Sequence, residues 1–424
     1  MRRSAYWVGL NRPIVLFLLH TAIAQIGLYG ITDVILNFYF VSLGYQSETI
    51  GILQGLGRLG GTITGIPLGL LADRIGARKV IIICMIGVAV SYVPLVFVPT
   101  LPMLILSRLI FGGAFGAVFL ASSPLMITLS RPEHRTRAFS MFSIAGLSAT
   151  ALGSALGGFL PSLVVKFMPL SAIPEGIPPE QSIPAYSASL AIAGLLCVVS
   201  ITPLLLFRDP PPPTHPDGTP KTGRGSVRTT SLRDVMRMVY LSLPMVIFGI
   251  TAGFTFPFYN LLFRVQFSLS DNVVGTILGF GWLIMGVSTI LAVGADRRWG
   301  RVRASLVVMI TAGCAFFVLG GAQTLWLGII AFVVAVSVRN LLVPLYQPLY
   351  MESFAQENHN IASALNSILW NGGWFAASAV GGSLIHHNGF GTLLALVGTG
   401  VILTGVSIFL IFRKRKPHPE LIPA

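Results

Sequence analysis

The sequence predicts an all-α membrane protein of twelve transmembrane helices in two six-helix pseudo-repeats, with both termini cytoplasmic. Three observations lead there. Hydrophobic residues make up 54% of the 424, charged residues only 10%, and mean hydropathy is +0.81; such a chain has too little polar surface to cover a water-soluble globule. Apolar stretches of about 20 residues, each long enough to cross a hydrocarbon core of about 30 Å as a helix, recur from end to end. Lysine and arginine gather in alternate connections, as they do on the cytoplasmic side of membranes.

The predicted spans are 13–42, 48–72, 79–99, 102–129, 138–163 and 185–207 in the first half, and 238–263, 271–295, 304–323, 325–350, 361–386 and 390–412 in the second. The first apolar run is too long for a signal-peptide core and no small-residue cleavage site follows it, so it is read as a helix that stays. Segments 1–12, 73–79, 130–138, 207–238, 296–303 and 413–416 carry 23 of the 28 basic residues, whereas the opposite connections hold two, Lys166 and Arg264. That asymmetry assigns both termini to the cytoplasm. It also accounts for the net charge of +14 without a nucleic-acid partner. The basic tail 413–424 is placed to meet anionic membrane lipids. Cys84, Cys197 and Cys314 stand singly in apolar runs, without metal or redox spacing, and are read as packing residues with no disulfide and no metal site.

The domains follow as an N-terminal six-helix bundle 1–207, a cytoplasmic linker 208–237, a C-terminal bundle 238–412 and the tail. The linker is proline-rich, polar and basic, extended at first and then flexible. A partial echo links the halves: ADRRWGRVR at 295–303 follows the eighth span as ADRIGARK at 72–79 follows the second, with Asp296 lying 223 residues after Asp73. A duplicated six-helix unit is the economical explanation.

At GLLADRIGARKV (69–80) the chain resembles the major facilitator superfamily of secondary transporters, whose signature after the second helix is G-x-x-x-D-R-x-G followed by basic residues. Gly69, Asp73, Arg74, Gly76, Arg78 and Lys79 fit it, with Ala77 where another Arg is usual. The second copy, with Asp296 and Arg297, departs further: Ala292 replaces the glycine and Gly300 comes one residue late. The resemblance implies the family's twelve-helix fold, a central cavity, alternating access and a conformational latch at these residues. The physical reading is compatible, since Gly69 permits close helix approach and the basic cluster anchors the loop at the membrane surface. A purely topogenic anchor is the alternative.

A charge within a span costs several kcal/mol unless it is paired or hydrated, so such residues are candidates for function. Asp33, Arg58, Arg108 and Arg339 qualify. The first three lie about eight to ten residues from the outer ends of their spans, roughly 12–15 Å deep, and are therefore at one level. Three arginines against one aspartate leave a balance of +2, which favours an organic anion as ligand. SRLIFGGAFGA, around Arg108, resembles the family's fourth-helix pattern R-x-x-x-G-x-x-x-G with Gly112 and Gly116 in place, and the family associates this arginine with proton coupling. ALGSALGG at 151–158 is similar to the antiporter pattern G-P-x-x-G-G, with Gly153, Gly157 and Gly158 present and Ser154 replacing the proline. Close helix packing is the alternative reading of these five glycines.

Asn37, Tyr259, Asn260, Asn340, Asn366, Trp370, Asn371 and Trp374 offer hydrogen bonds and aromatic surface on the first, seventh, tenth and eleventh spans, suited to an amphiphilic small molecule. His20, His386 and His387 are read as packed or interfacial. Two carrier readings stand: proton-coupled export of a small amphiphilic compound, and carriage of an organic anion held by intramembrane arginines. A transporter-like sensor or scaffold is the third, although the longest polar segment is only the linker. No phosphate-binding G-x-x-x-x-G-K-[ST] loop, histidine–glutamate metal pair or G-x-S-x-G elbow occurs, so neither ATP-driven transport nor enzyme activity is expected. The expected energy source is a proton gradient with no cofactor, the expected partners are substrate, protons and lipids, and the expected state is a monomer in a prokaryotic plasma membrane.

Overall fold

The computed structural model describes residues 11–131, 134–169, 178–208, 231–355 and 358–413, and these residues contain helices and turns but no strand. The first half runs α1 (Arg12–Gln25), a π-helical stretch Ile26–Ile31, α2 (Thr32–Ser42), α3 (Ser47–Ile75), α4 (Ala77–Phe97), α5 (Leu101–Leu129), α6 (Arg135–Val165), α7 (Ile183–Val199) and α8 (Ile201–Leu205). The second runs α9 (Leu232–Thr255), a 3-10 turn Phe256–Phe258, α10 (Tyr259–Phe267), α11 (Asp271–Ser288), α12 (Leu291–Gly320), α13 (Leu325–Asn340), α14 (Leu342–Met351) and α15 (His359–Phe412).

Local chemistry sets several of these boundaries. Asn11 caps α1 by accepting from the Ile14 amide at 3.0 Å, and a proline follows in the first turn, where its missing N–H leaves no bond unmade. Ser231 caps α9 in the same way through the Asp234 amide at 3.2 Å. Gly76 divides α3 from α4 with φ 93° and ψ 142°, and Gly300 breaks α12 with φ 71° and ψ 151°. Left-handed values of this kind are open to glycine and strained for other residues. The two copies of the loop motif therefore turn the chain alike, although Gly300 is displaced by one residue in the alignment of the echo.

Ten helical segments among the described residues are long and apolar enough to cross a membrane. The count differs from the twelve predicted spans at two places. The helix α3, which carries Glu48, Arg58 and Arg74, is not among the ten; Ile361–Phe412 is counted once, although Gly389 breaks it with φ 73°. The eighth predicted span also differs: α11 ends at Ser288, and residues 289–293 tighten into hydrogen bonds between residues three apart before α12 continues.

The described residues gather into two compact units. The first comprises Met1–Gly44, Leu56–Gly223 and Ser270–Gly279; the second Tyr45–Gly55, Arg224–Leu269 and Phe280–Ala424. Glycines bring backbones together inside each. In the first, Gly112 stands against the Gly57 backbone, a side chain on Gly116 would meet Gly61 Cα at 2.8 Å, and one on Gly153 would meet Ile26 O at 2.6 Å. Gly157 lies on Ile31, and Gly158 on the backbone of Asp271 and Asn272 at the start of α11. In the second, Gly249 and Gly253 of α9 press on the Trp370 and Trp374 carbonyls of α15. Membrane helices associate through such close contact because lipid offers no hydrophobic drive between them.

Candidate functional site

Asp33 follows directly on the π-helical stretch IGLYGI. The wider turn is closed by the Thr32 backbone N–H on Gly27 O, and the Thr32 hydroxyl donates to the same oxygen at 2.8 Å. The same Thr32 oxygen lies 2.7 Å from the Tyr92 hydroxyl of α4. Thr32 is thus held from two sides, and it holds the turn that aims Asp33. Asp33 is exposed, whereas residues 34–40 after it are all buried. Its carboxylate lies within coulombic range of Arg108 on α5 and of Arg58 on α3, and Arg58 is hydrogen-bonded to the Tyr29 hydroxyl within the π-helical stretch. Arg108 is only 7% exposed; its guanidinium lies 4.8 Å from the Phe111 ring centre, and a side chain on Gly57 would come within 2.9 Å of its Nη2. Gly57 thus leaves the space that the guanidinium occupies. With two guanidinium groups around one carboxylate, the cluster carries +1 when Asp33 is ionised and +2 when it is protonated.

Arg339 belongs to the second unit and has a different setting. It is 2% exposed on α13, donates to Thr255 Oγ1 at 3.0 Å, and has the rings of Phe256, Phe248 and Phe316 at 4.6, 5.3 and 5.8 Å from its guanidinium carbon. The buried Tyr259 hydroxyl lies in its coulombic range. Phe256 stacks between Trp374 at 5.2 Å and Trp282 at 5.9 Å, and Trp370 meets Trp374 edge-on at 5.1 Å.

The remaining polar candidates are spread through their units. Asn37 and Asn260 are buried at 1% and 2% exposure, and Asn260 accepts from the Leu261 amide at 2.8 Å. Asn340 donates to Thr289 at 3.4 Å, Asn366 accepts from Tyr346 at 3.4 Å, and Asn371 bonds back to Ser367 of its own helix. Of the loop residues, Arg74 is exposed, while Arg78 donates to Leu204 O at 2.8 Å and to Phe207 O, tying the start of α4 to the end of α8. Gly69 and Asp73 belong to α3, and the surroundings of Gly69 and the side chain of Asp73 lie outside the described residues. In the second copy Arg297 is exposed and Asp296 pairs with Arg301 at 3.4 Å; Arg301 in turn meets Glu352 at 2.6 Å.

Sequence reasoning missed Tyr29, Thr32 and Tyr92 in the first unit, Thr255 and the phenylalanines around Arg339 in the second, and the Arg301–Glu352 pair. It also missed Tyr186, whose hydroxyl donates to buried Asp271 at 2.6 Å. Thr32 beside Asp33 was an available signal. The aromatic residues were not, because phenylalanine is common throughout an apolar chain.

The family model that matches the chain describes the Major Facilitator Superfamily, over residues 17–378 and 245–424. The mouse MFS-type transporter SLC18B1 is 25% identical over 395 residues, covering 87% of this chain and 79% of that protein. An efflux pump of Aspergillus niger, azaK, is 29% identical over 150 residues, and the match covers 35% of this chain and 31% of the pump. Among solved structures, the nucleoside transporter NupG matches with a TM-score of 0.69 at 17% identity, over 96% of this chain and all of that one. At that identity the likeness is one of fold.

Proposed function

The chain belongs to the major facilitator superfamily of transporters, and from that premise we propose that it is a secondary active carrier, working by alternating access, that exports a small amphiphilic organic compound in exchange for protons. The observation that carries this reading is Asp33, an exposed carboxylate in mid-span with Arg108 and Arg58 in coulombic range. A carboxylate there is costly unless it is used or compensated. Its protonation changes the charge of the cluster by one, which is what coupling to a proton gradient needs. The relative named as an efflux pump supports the direction.

In this reading α3 also crosses the membrane and Gly389 divides α15 into two spans, which brings ten to twelve. The two bundles are 1–207 and 238–412, both termini face the cytoplasm, the loop bearing Asp73 serves as a conformational latch, and the protein acts as a monomer in a plasma membrane. The test uses protein reconstituted in vesicles, with a labelled lipophilic dye as cargo. Asp33→Asn is expected to abolish accumulation driven by a pH gradient while retaining counterflow. Gradient-driven accumulation that survives in the variant makes Asp33 structural. Absence of counterflow for every compound offered to the wild type favours a sensor.

A further inference from the structure

Arg339 is a cation sealed among hydrocarbon rings. A guanidinium has five N–H donors, and one of them, to Thr255, makes the hydrogen bond described; the rest of the group faces phenyl surfaces. Among the described residues its titratable neighbour in coulombic range is Tyr259, and no carboxylate joins it. Ring faces attract a guanidinium but satisfy its donors weakly. A carboxylate accepts two parallel hydrogen bonds from the same fork, and in a dry site that pairing is far stronger.

One side of this cage is less enclosed than the other. Phe256 covers the guanidinium from the 3-10 turn Phe256–Phe258, where the seventh span is interrupted and Pro257 cannot donate a backbone hydrogen bond. Phe256, Trp282 and Trp370 are half-buried, whereas Phe248 and Phe316 are buried. The accessible approach to Arg339 therefore runs over an array of stacked aromatic rings.

We propose that Arg339, with Thr255, Tyr259 and the Phe256–Trp282–Trp374 ring array, is a binding subsite for an aromatic organic acid. The acid's carboxylate displaces the Phe256 ring and takes the guanidinium fork, and its aromatic body stacks within the array. The inference rests on the carrier reading and names the class of its substrate.

Titration calorimetry on the purified full chain in detergent, with 2-naphthoate, its neutral amide 2-naphthamide and 2-naphthylmethylammonium, tests it. The acid is expected to bind wild-type protein at least about tenfold more tightly than the amide, and the ammonium most weakly. Arg339→Gln is expected to erase the preference for acid over amide, and Arg339→Lys to restore part of it. Equal affinity for acid and amide, or preference for the ammonium, overturns the proposal on wild-type protein alone, whether or not the variants fold. So does an undiminished acid preference in Arg339→Gln that elutes as a folded monodisperse species, or the absence of acid binding at millimolar concentration. Vesicle counterflow separates this from the carrier reading: counterflow of the ammonium without acid binding leaves a carrier and removes the subsite, whereas acid binding without counterflow of any compound leaves the subsite and removes the carrier.

Discussion

Arg108 illustrates how much one neighbouring residue decides. A guanidinium buried to 93% in a span needs room as well as a counter-charge, and Gly57 supplies the room by having no side chain. A methyl group at position 57 would fall within 2.9 Å of Nη2, at the flexible end of the side chain, so the guanidinium moves before the backbone does. Gly57→Ala is therefore expected to change stability little, because a flexible side chain absorbs the overlap and alanine is favoured over glycine inside a helix by about 0.5–1 kcal/mol. Gradient-driven transport is expected to fall several-fold. Thermal unfolding read beside vesicle uptake checks the split; a variant that unfolds much earlier, or one that transports normally, contradicts this account of the pocket.

Two irregular elements position groups that regular helices would leave elsewhere. The π-helical stretch Ile26–Ile31 widens the helix immediately before Asp33, and both the amide and the hydroxyl of Thr32 donate to Gly27 O to hold it. Thr32→Val keeps the shape and removes the hydroxyl, so it is expected to lose about 1 kcal/mol and to raise amide hydrogen exchange at residues 27–31. Exchange unchanged from wild type would show that the glycine packing alone holds the turn. The start of α11 is secured by another buried bond, from Tyr186 to Asp271, with Gly275 packed so closely that a side chain there would meet Ser154 O at 2.5 Å. Tyr186→Phe leaves a buried carboxylate short of a donor and is expected to lower stability by about 1.5–3 kcal/mol, the range for hydrogen bonds to charged groups. A melting temperature equal to wild type would show that the bond contributes nothing.

At the scale of the whole molecule, the 23 of 28 basic residues in alternate connections imply one topology. In a background with Cys314 replaced by Ser, a membrane-impermeant maleimide added to intact cells is expected to label a cysteine placed at Ser270 and to spare one at Ser231; the reverse pattern inverts the assignment. Composition, the all-helical membrane character, the basic connections and the loop motif at 69–80 were legible in the chain because they depend on local chemistry: the cost of unsatisfied backbone in lipid, the siting of charge, and the backbone freedom of glycine at Gly76. The charges Asp33, Arg58, Arg108 and Arg339 were legible for the same reason, since each is an exception within an apolar run. Their surroundings were not. The level shared by Asp33, Arg58 and Arg108 followed from counting residues, but Tyr29 and Tyr92 entered only through a π-helical turn that has no signature in the run IGLYGI. Arg339 read as one of three similar cations until packing placed three phenylalanine rings and Thr255 around it. Sequence by itself determined what must lie in the membrane and where charge is anomalous, because those are costs borne by single residues. Only the tertiary structure decided which helix faces meet, because in a chain that is apolar on every side hydrophobicity marks no inward face, and close backbone contact at glycines does.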